Sequence, residues 1–204
     1  MQNKSSFLAV AVLLTSLSIQ SGTMNQTVTV HDKTFAVSIP HAKIEERIKT
    51  LGQQITHDYK NAEKPPIFIG VLRGAFMFLS DLVKAVDLAY EIDFIQVSSY
   101  EDKTTSSGVI TLLKALKRDI TDRDIIIVED IVDSGLSIAY IRDMLQTSNP
   151  RSIRIASLLD KKLSTLDFPI DYVGFEIAPE FVIGYGLDYD QLGRNLKDIY
   201  TLAE

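Results

Sequence analysis

One stretch, Ile125 to Ser137 (IIIVEDIVDSGLS), limits the folds open to this chain more than any other. Ile125, Ile126, Ile127 and Val128 form an unbroken β-branched run. Such a run reads as a strand buried on both faces, as in a parallel sheet lying between helices. The strand is predicted to stop at Glu129 and Asp130, because two adjacent carboxylates cannot stay unpaired in a core. A turn of Asp133, Ser134 and Gly135 follows, and Leu136 to Leu145 reads as a helix. Strand, small-residue turn and helix N-terminus together form a cradle whose backbone N–H groups suit an anion such as phosphate. Three acids beside that cradle would repel a bare phosphate. A sugar diol hydrogen-bonded to them, or a Mg²⁺ ion, removes the conflict. The stretch therefore points to a ribose phosphate held with a metal.

The rest of the chain supplies a frame for this unit. Val28 to Ile39 alternates as one or two short strands and ends at Pro40. Residues 41–60 carry Ile44, Ile48, Leu51, Ile55 and Tyr59 at helical spacing, an amphipathic helix with one core stripe. Ile67 to Leu72 reads as a second buried strand, followed by Arg73-Gly74 and a helix from Ala75 to Val86. Here the polar group at the strand end is a guanidinium, suited to phosphate or pyrophosphate. Glu91 to Ser99 and Val109 to Leu113 read as strands. The polar segment between them, Tyr100 to Gly108, is a plain hairpin excursion or a lid, and the residues alone favour the plain reading. Ile153 to Leu159 and Tyr172 to Ile177 read as further strands. Alternating strands and helices give an α/β fold, a twisted, mainly parallel sheet flanked by helices. Ligands in such sheets sit outside the carboxyl ends of the strands, where Arg73, Glu129, Asp130, Asp133 and Lys161 fall. Phe181, Val182, Asp188, Lys161 and Lys162, taken singly, read as core, turn or solvated residues, and Tyr172, Tyr185 and Tyr189 read as packing residues.

Several classes are excluded. With 204 residues, 46% of them hydrophobic, the chain suits one compact domain. A net charge of −6 disfavours nonspecific nucleic-acid binding. The absence of Cys removes disulfides, thiolate catalysis and Cys-ligated zinc. His31, His41 and His57 match no metal-ligand spacing, so any metal is a hard cation on carboxylates. There is no GxxxxGK[ST], no GxGxxG after a strand, no EF-hand spacing and no nucleophile elbow. Residues 1–23 stand apart as a non-core N-terminal extension, with 24–204 the single folded domain. The run from Phe7 to Leu14 resembles a short signal h-region, but its n-region is thin and its cleavage signal indistinct. Translation from Met24 is the preferred reading over a working signal.

The ordered segments VLRGA (71–75), SSY (98–100), VEDIVDSGLS (128–137), ASLLDKK (156–162) and VGFEIAPEFVIGYGLDYDQLGR (173–194) resemble the hypoxanthine-guanine phosphoribosyltransferases, a type I purine phosphoribosyltransferase family. The resemblance covers Asp32 to the C-terminus. It implies the type I fold with a small hood formed by N- and C-terminal segments. It also implies Mg²⁺-dependent transfer of 5-phosphoribosyl from phosphoribosyl pyrophosphate to hypoxanthine or guanine, giving IMP or GMP and pyrophosphate. Glu129 and Asp130 would hold the ribose hydroxyls and contribute to metal binding. Asp133 would be the acid/base at purine N7, and Ser134, Gly135, Leu136 and Ser137 would cradle the 5′-phosphate. Leu72, Arg73 and Gly74 would form the pyrophosphate loop. Lys161 would donate to the purine 6-oxo group, Phe181 would stack on the base and the Val182 backbone would read its edge. Asp188 would ligate Mg²⁺, Arg194 would meet pyrophosphate, and Ser99 and Tyr100 would belong to a lid. The family further implies a homo-oligomer, dimer or tetramer, in the cytoplasm, with no nucleic-acid or membrane partner. Arg73 departs from the family's usual Lys, which changes reach and hydrogen-bond geometry. Leu136 lacks the basic side chain that some members place in the phosphate loop. A non-catalytic sensor of the sugar pyrophosphate is the competing reading. The presence of both Asp133 and Asp188, and the lack of an added DNA-binding domain, favour the enzyme.

Overall fold

The computed structural model describes residues 27–99, 110–163 and 166–203. The N-terminal extension, Tyr100 and the remainder of the expected lid lie outside them. In chain order the elements are β1 (Thr27–Val30), β2 (Lys33–Ile39), α1 (His41–Tyr59), β3 (Ile67–Leu72), α2 (Phe76–Ala85), β4 (Glu91–Ser99), β5 (Ile110–Lys114) and β6 (Asp124–Val132). These are followed by α3 (Leu136–Gln146), β7 (Ser152–Asp160), β8 (Tyr172–Glu176), β9 (Val182–Ile183) and β10 (Ile199–Leu202).

The isoleucine run of β6 sits at the middle of a six-stranded sheet of order β5-β4-β3-β6-β7-β8. All neighbours are parallel except β5, which runs antiparallel to β4. Successive side chains of a strand point to opposite faces, and both faces of β6 are covered. Ile126 and Val128 pack with the buried residues of α1 and α2, including Ile48, Leu51, Phe78 and Leu82. Ile125 and Ile127 pack with Ile138, Ile141 and Leu145 of α3. The expected stripe of α1 is the buried one: Ile44, Ile48, Leu51, Ile55 and Tyr59. The parallel arrangement and its helical cover thus follow from apolar runs too continuous to leave either face wet.

The strand order explains where a ligand belongs. From β3 the chain crosses outward to β4, and from β6 it crosses the other way to β7. A crevice is left outside the carboxyl ends of β3 and β6, where the winding reverses. One expectation is corrected here. β6 does not stop at the carboxylates but continues through Glu129 and Asp130 to Val132. Its pairing with β3 ends at Gly70↔Val128, while its pairing with β7 persists to Val132↔Asp160. Support from one neighbour keeps the backbone extended, and the side from which β3 has departed gives the two acids room.

A second, four-stranded antiparallel sheet, order β1-β2-β10-β9, joins the first and last strands of the described residues. It encloses a small cluster of Val30, Phe35, Ile183 and Tyr200. The hood of N- and C-terminal segments is therefore present, with β10 a strand that the pattern of residues alone does not mark. No helix among the described residues is long and apolar enough to cross a membrane.

Candidate active site

Three parallel strands end at one edge, and a polar residue follows each: Arg73 after β3, Asp133 after β6, Lys161 after β7. Lys161 Nζ donates to Asp133 Oδ2 at 2.6 Å. The Lys161 side chain is only 12% exposed against 54% for Asp133, so the ammonium sits below a carboxylate that is open to a ligand. The two residues that the resemblance assigns to neighbouring edges of one purine are thus in direct contact.

Beyond Asp133, Gly135 (φ +82) is the N-cap of α3, and no side chain caps the helix. The Leu136 N–H is directed at Ser134 Oγ at 3.5 Å, and the amides that follow it suit an anion. A hollow of about 90 Å³ lies here, lined by Glu129, Ile131, Val132, Asp133, Ser134, Gly135, Ser137 and Ile138. Leu136, expected in the cradle, does not line it, and its side chain is exposed.

Glu129 is 7% exposed and accepts a 3.3 Å hydrogen bond from the Asp130 N–H through Oε1. Burial, and then the neighbouring Asp130 charge, pushes the Glu129 carboxyl well above the ordinary carboxylate range. Burial also raises Asp130, although hydrogen bonds from Glu129 and backbone amides, and the charge of Arg194, pull it part of the way back. The turn after β3 is built around Asp130. A Cβ on Gly74 would lie 1.5 Å from Asp130 Oδ2, so any other residue at 74 displaces that carboxylate. Leu72-Arg73 is a cis peptide.

The opposite wall is the C-terminal loop. Arg194 Nη2 pairs with Asp188 Oδ1 at 2.7 Å, and Arg194 Nη1 donates to the Gly186 carbonyl at 2.8 Å. Asp188 Oδ2 accepts the Gln191 N–H at 2.7 Å. Arg73 Nη1 donates to Gln191 Oε1 at 3.0 Å, which joins this loop to the turn after β3. Gly186 has φ +104, and a Cβ there would lie 2.1 Å from the Gly74 carbonyl oxygen, so the two loops touch backbone to backbone.

Glu129, Asp130 and Asp188 are the acids expected to hold a hard cation, and of these Asp188 is paired with Arg194. Paired buried carboxylates that favour protonation are groups a divalent cation would relieve. Among the described residues no three acidic or His side chains converge on one point. A cation here would thus draw further ligands from the substrate, as Mg²⁺ does with phosphates.

Phe181 is 47% exposed, so it is not a core residue. Its ring meets Tyr189 edge-on at 5.7 Å and Phe35 at 6.2 Å. Lys33 Nζ lies 4.6 Å from the Tyr189 ring centre and 5.8 Å from that of Phe181. Val182 is buried in β9. Ser99 closes β4.

Residues 40–190 match the family model of the phosphoribosyl transferase domain. Hypoxanthine phosphoribosyltransferase of Salmonella typhimurium is 43% identical over 164 residues, which is 80% of this chain and 92% of that protein. Hypoxanthine-guanine phosphoribosyltransferase of Bacillus subtilis is 42% identical over 167 residues, 81% of this chain and 92% of that one. A crystal structure of a Staphylococcus aureus hypoxanthine phosphoribosyltransferase superposes with a TM-score of 0.77 at 42% identity, covering 82% of this chain and 90% of that one. The chain belongs to the hypoxanthine-guanine phosphoribosyltransferase family.

Reading the residues alone misses Gln191, the partner of Arg73, since nothing local links positions 118 residues apart. It also misses Lys33 and Asp32, which brace Tyr189 from the β1–β2 hairpin: the Tyr189 hydroxyl donates to Asp32 Oδ1 at 2.9 Å. The closely spaced Tyr and Gly of GYGLDY are the available signal for this loop, and they mark it without giving partners.

Proposed function

We propose that this protein transfers the 5-phosphoribosyl group of phosphoribosyl pyrophosphate to a 6-oxopurine, hypoxanthine or guanine, yielding IMP or GMP and pyrophosphate. The observation that carries the reading is the 2.6 Å pair of Lys161 and Asp133 at adjacent strand ends. An ammonium and a carboxylate side by side complement a carbonyl oxygen next to a ring N–H. An amino group at the same position would face the ammonium donor to donor, so adenine is rejected.

When the base arrives, the Lys161 ammonium donates to the 6-oxo oxygen and leaves the Asp133 carboxylate to accept the ring proton. The C1′–oxygen bond to pyrophosphate breaks as a bond from C1′ to a ring nitrogen forms. Positive charge builds on the ribose, next to Glu129 and Asp130, and negative charge builds on the leaving group, next to Arg73 and Arg194. Ser134, Gly135, Ser137 and the uncapped α3 amides hold the 5′-phosphate. Glu129, Asp130 and Asp188 would hold Mg²⁺, which when bound neutralises charge on the departing pyrophosphate. Phe181 stacks on the base beside the Val182 backbone. Residues 99–108 would exclude water from a ribosyl cation that water otherwise captures. The sensor alternative gives no reason for a proton acceptor beside the base selector.

The test is product formation with Mg²⁺, phosphoribosyl pyrophosphate and a panel of hypoxanthine, guanine, xanthine, adenine and uracil. Nucleotide and pyrophosphate are expected with the first two and neither with adenine or uracil. Turnover of adenine as fast as hypoxanthine would remove Lys161 from the selector role, and binding without turnover of any base would favour the sensor.

A further inference from the structure

Tyr185 is the largest side chain with no solvent exposure among the described residues. A phenylalanine would fill the same space without needing a polar partner, so the hydroxyl requires an explanation. It donates to Asp81 Oδ2 at 2.5 Å, across from the C-terminal loop to α2. Asp81 is held in turn by Lys84 at 2.5 Å. A hydrogen bond to a carboxylate kept ionised in this way is of the stronger kind. Burial tends to raise Asp81, but the hydrogen bonds from Lys84 and Tyr185 outweigh it and leave its carboxyl below the ordinary value.

What the bond connects is the informative part. The Tyr185 N–H donates to the Leu196 carbonyl at 2.8 Å, and the Gly186 N–H donates to the Arg194 carbonyl at 3.0 Å. Gly186 also accepts from the Arg194 guanidinium and lies against the Gly74 carbonyl. Gly74 is packed on Asp130 and stands two residues before α2, the helix that carries Asp81. The Tyr185–Asp81 bond therefore closes a ring of contacts running from α2 through the Gly74 turn to Gly186, with Arg194 attached. Lys161, on the end of β7, is outside this ring.

We propose that Tyr185 is a positioning residue for the pyrophosphate side of the site: its hydroxyl on Asp81 fixes Arg194 and the Arg73-Gly74 turn at a set separation. The inference rests on the reaction proposed above. Tyr185→Phe keeps the ring and its packing but frees the loop from α2. Asp81→Asn keeps an acceptor for the hydroxyl, whereas Asp81→Ala does not; both lose the Lys84 ion pair, so their difference isolates the Tyr185 bond.

The experiment uses the full chain in two arms. Steady-state kinetics are expected to show the KM for phosphoribosyl pyrophosphate raised roughly tenfold in Tyr185→Phe and Asp81→Ala. The purine KM should hold in both variants, Asp81→Asn should stay near the wild type, and Tyr185→Phe/Asp81→Ala should be no worse than either single change. Hydrogen exchange of the ligand-free protein is expected to speed up in Tyr185→Phe at both 72–76 and 184–196. Equal rises in both KM values, or Asp81→Asn as damaging as Asp81→Ala, would overturn the assignment. So would unchanged exchange at 72–76. If the wild type transfers to no base, the reaction itself is wrong, while the exchange arm still decides whether Tyr185 ties the two loops.

Discussion

Arg73, Asp133 and Lys161 each follow directly on a strand of the parallel sheet, whereas Asp188, Gln191 and Arg194 lie in a loop held by side-chain contacts, some internal and some to Arg73, Asp32 and Asp81. The first group takes its geometry from the core. β3, β6 and β7 are hydrogen-bonded in register and covered by helices on both faces, so their ends move only if the sheet moves. The second group follows a two-residue strand and passes through Gly184, Tyr185, Gly186, Asp190, Gln191 and Gly193, all with positive φ. Such a path is stabilised by contacts at its sides instead of by a ladder: Arg194 to Asp188 and Gly186, Arg73 to Gln191, Tyr189 to Asp32. The difference suggests a division of labour. In the proposed reaction the two groups that face the base, Asp133 and Lys161, both sit on the strand edge, whereas the pyrophosphate side draws Arg73 from that edge and Arg194 from the loop.

That division can be broken by substitution, and the largest effect is expected at the edge. Asp133→Asn keeps size and hydrogen bonding but removes the proton acceptor, so kcat should fall by about 10²- to 10⁴-fold. The KM for phosphoribosyl pyrophosphate should change little. Single-turnover and steady-state measurements with hypoxanthine check this, and near-normal turnover would take Asp133 out of proton transfer. A smaller effect is expected at Phe181, the proposed stacking surface for the base. Phe181→Ala should raise the KM for the base by about three- to tenfold, the scale of one aromatic contact, without lowering kcat. An unchanged base KM would place the stacking surface elsewhere.

The smallest effect concerns stability and sharpens the electrostatic side of the comparison. Burial, joined for Glu129 by the Asp130 charge, raises both carboxyls in the folded, ligand-free protein. The folded state then binds more protons than the unfolded chain at pH values between the ordinary carboxylate range and the raised ones. The stability this confers is full below the unfolded value and is lost as pH rises through the folded values. Glu129→Gln removes the conflict, so at neutral pH without metal Tm should rise by about 2–4 °C, the yield of roughly 1 kcal/mol in a chain of this size. The gain should vanish near pH 4, about the ordinary carboxylate value. Thermal melts at the two pH values check the sign, and an equal shift at both would mean that packing and not charge is responsible.

Much of the edge is legible in the order of the amino acids. Continuous β-branched runs announce strands buried on both faces, and a charged residue directly after such a run has nowhere to go but the sheet edge. Hence β3, β6, β7 and their terminal residues can be read one by one. The extension of β6 through Glu129 and Asp130 is not legible, because it depends on β3 withdrawing from the pairing at Val128. The C-terminal loop is legible only through its likeness to a family. Phe181 taken singly reads as core, yet it is half exposed. Tyr185 reads correctly as a packing residue, but its hydroxyl partner lies on a helix 104 positions upstream. Periodicity reports which residues are buried; it does not report which distant group a buried hydroxyl has found.

The hood joins the first strands of the described chain to the last, with Ile39 of β2 opposite Ile199 of β10. During synthesis β2 therefore emerges long before its partner. At bacterial and eukaryotic elongation speeds the delay is about 10 to 30 seconds. The six-stranded sheet, complete by Glu176, can form in that interval, but β2, paired only with β1, must wait with its other edge open and Phe35 without Ile183 and Tyr200. A nascent chain stalled before residue 199 would present that edge to its neighbours on the same polysome. Truncation of the last few residues should accordingly harm yield in the cell through aggregation, well beyond what the loss of the short β10 does to the finished fold.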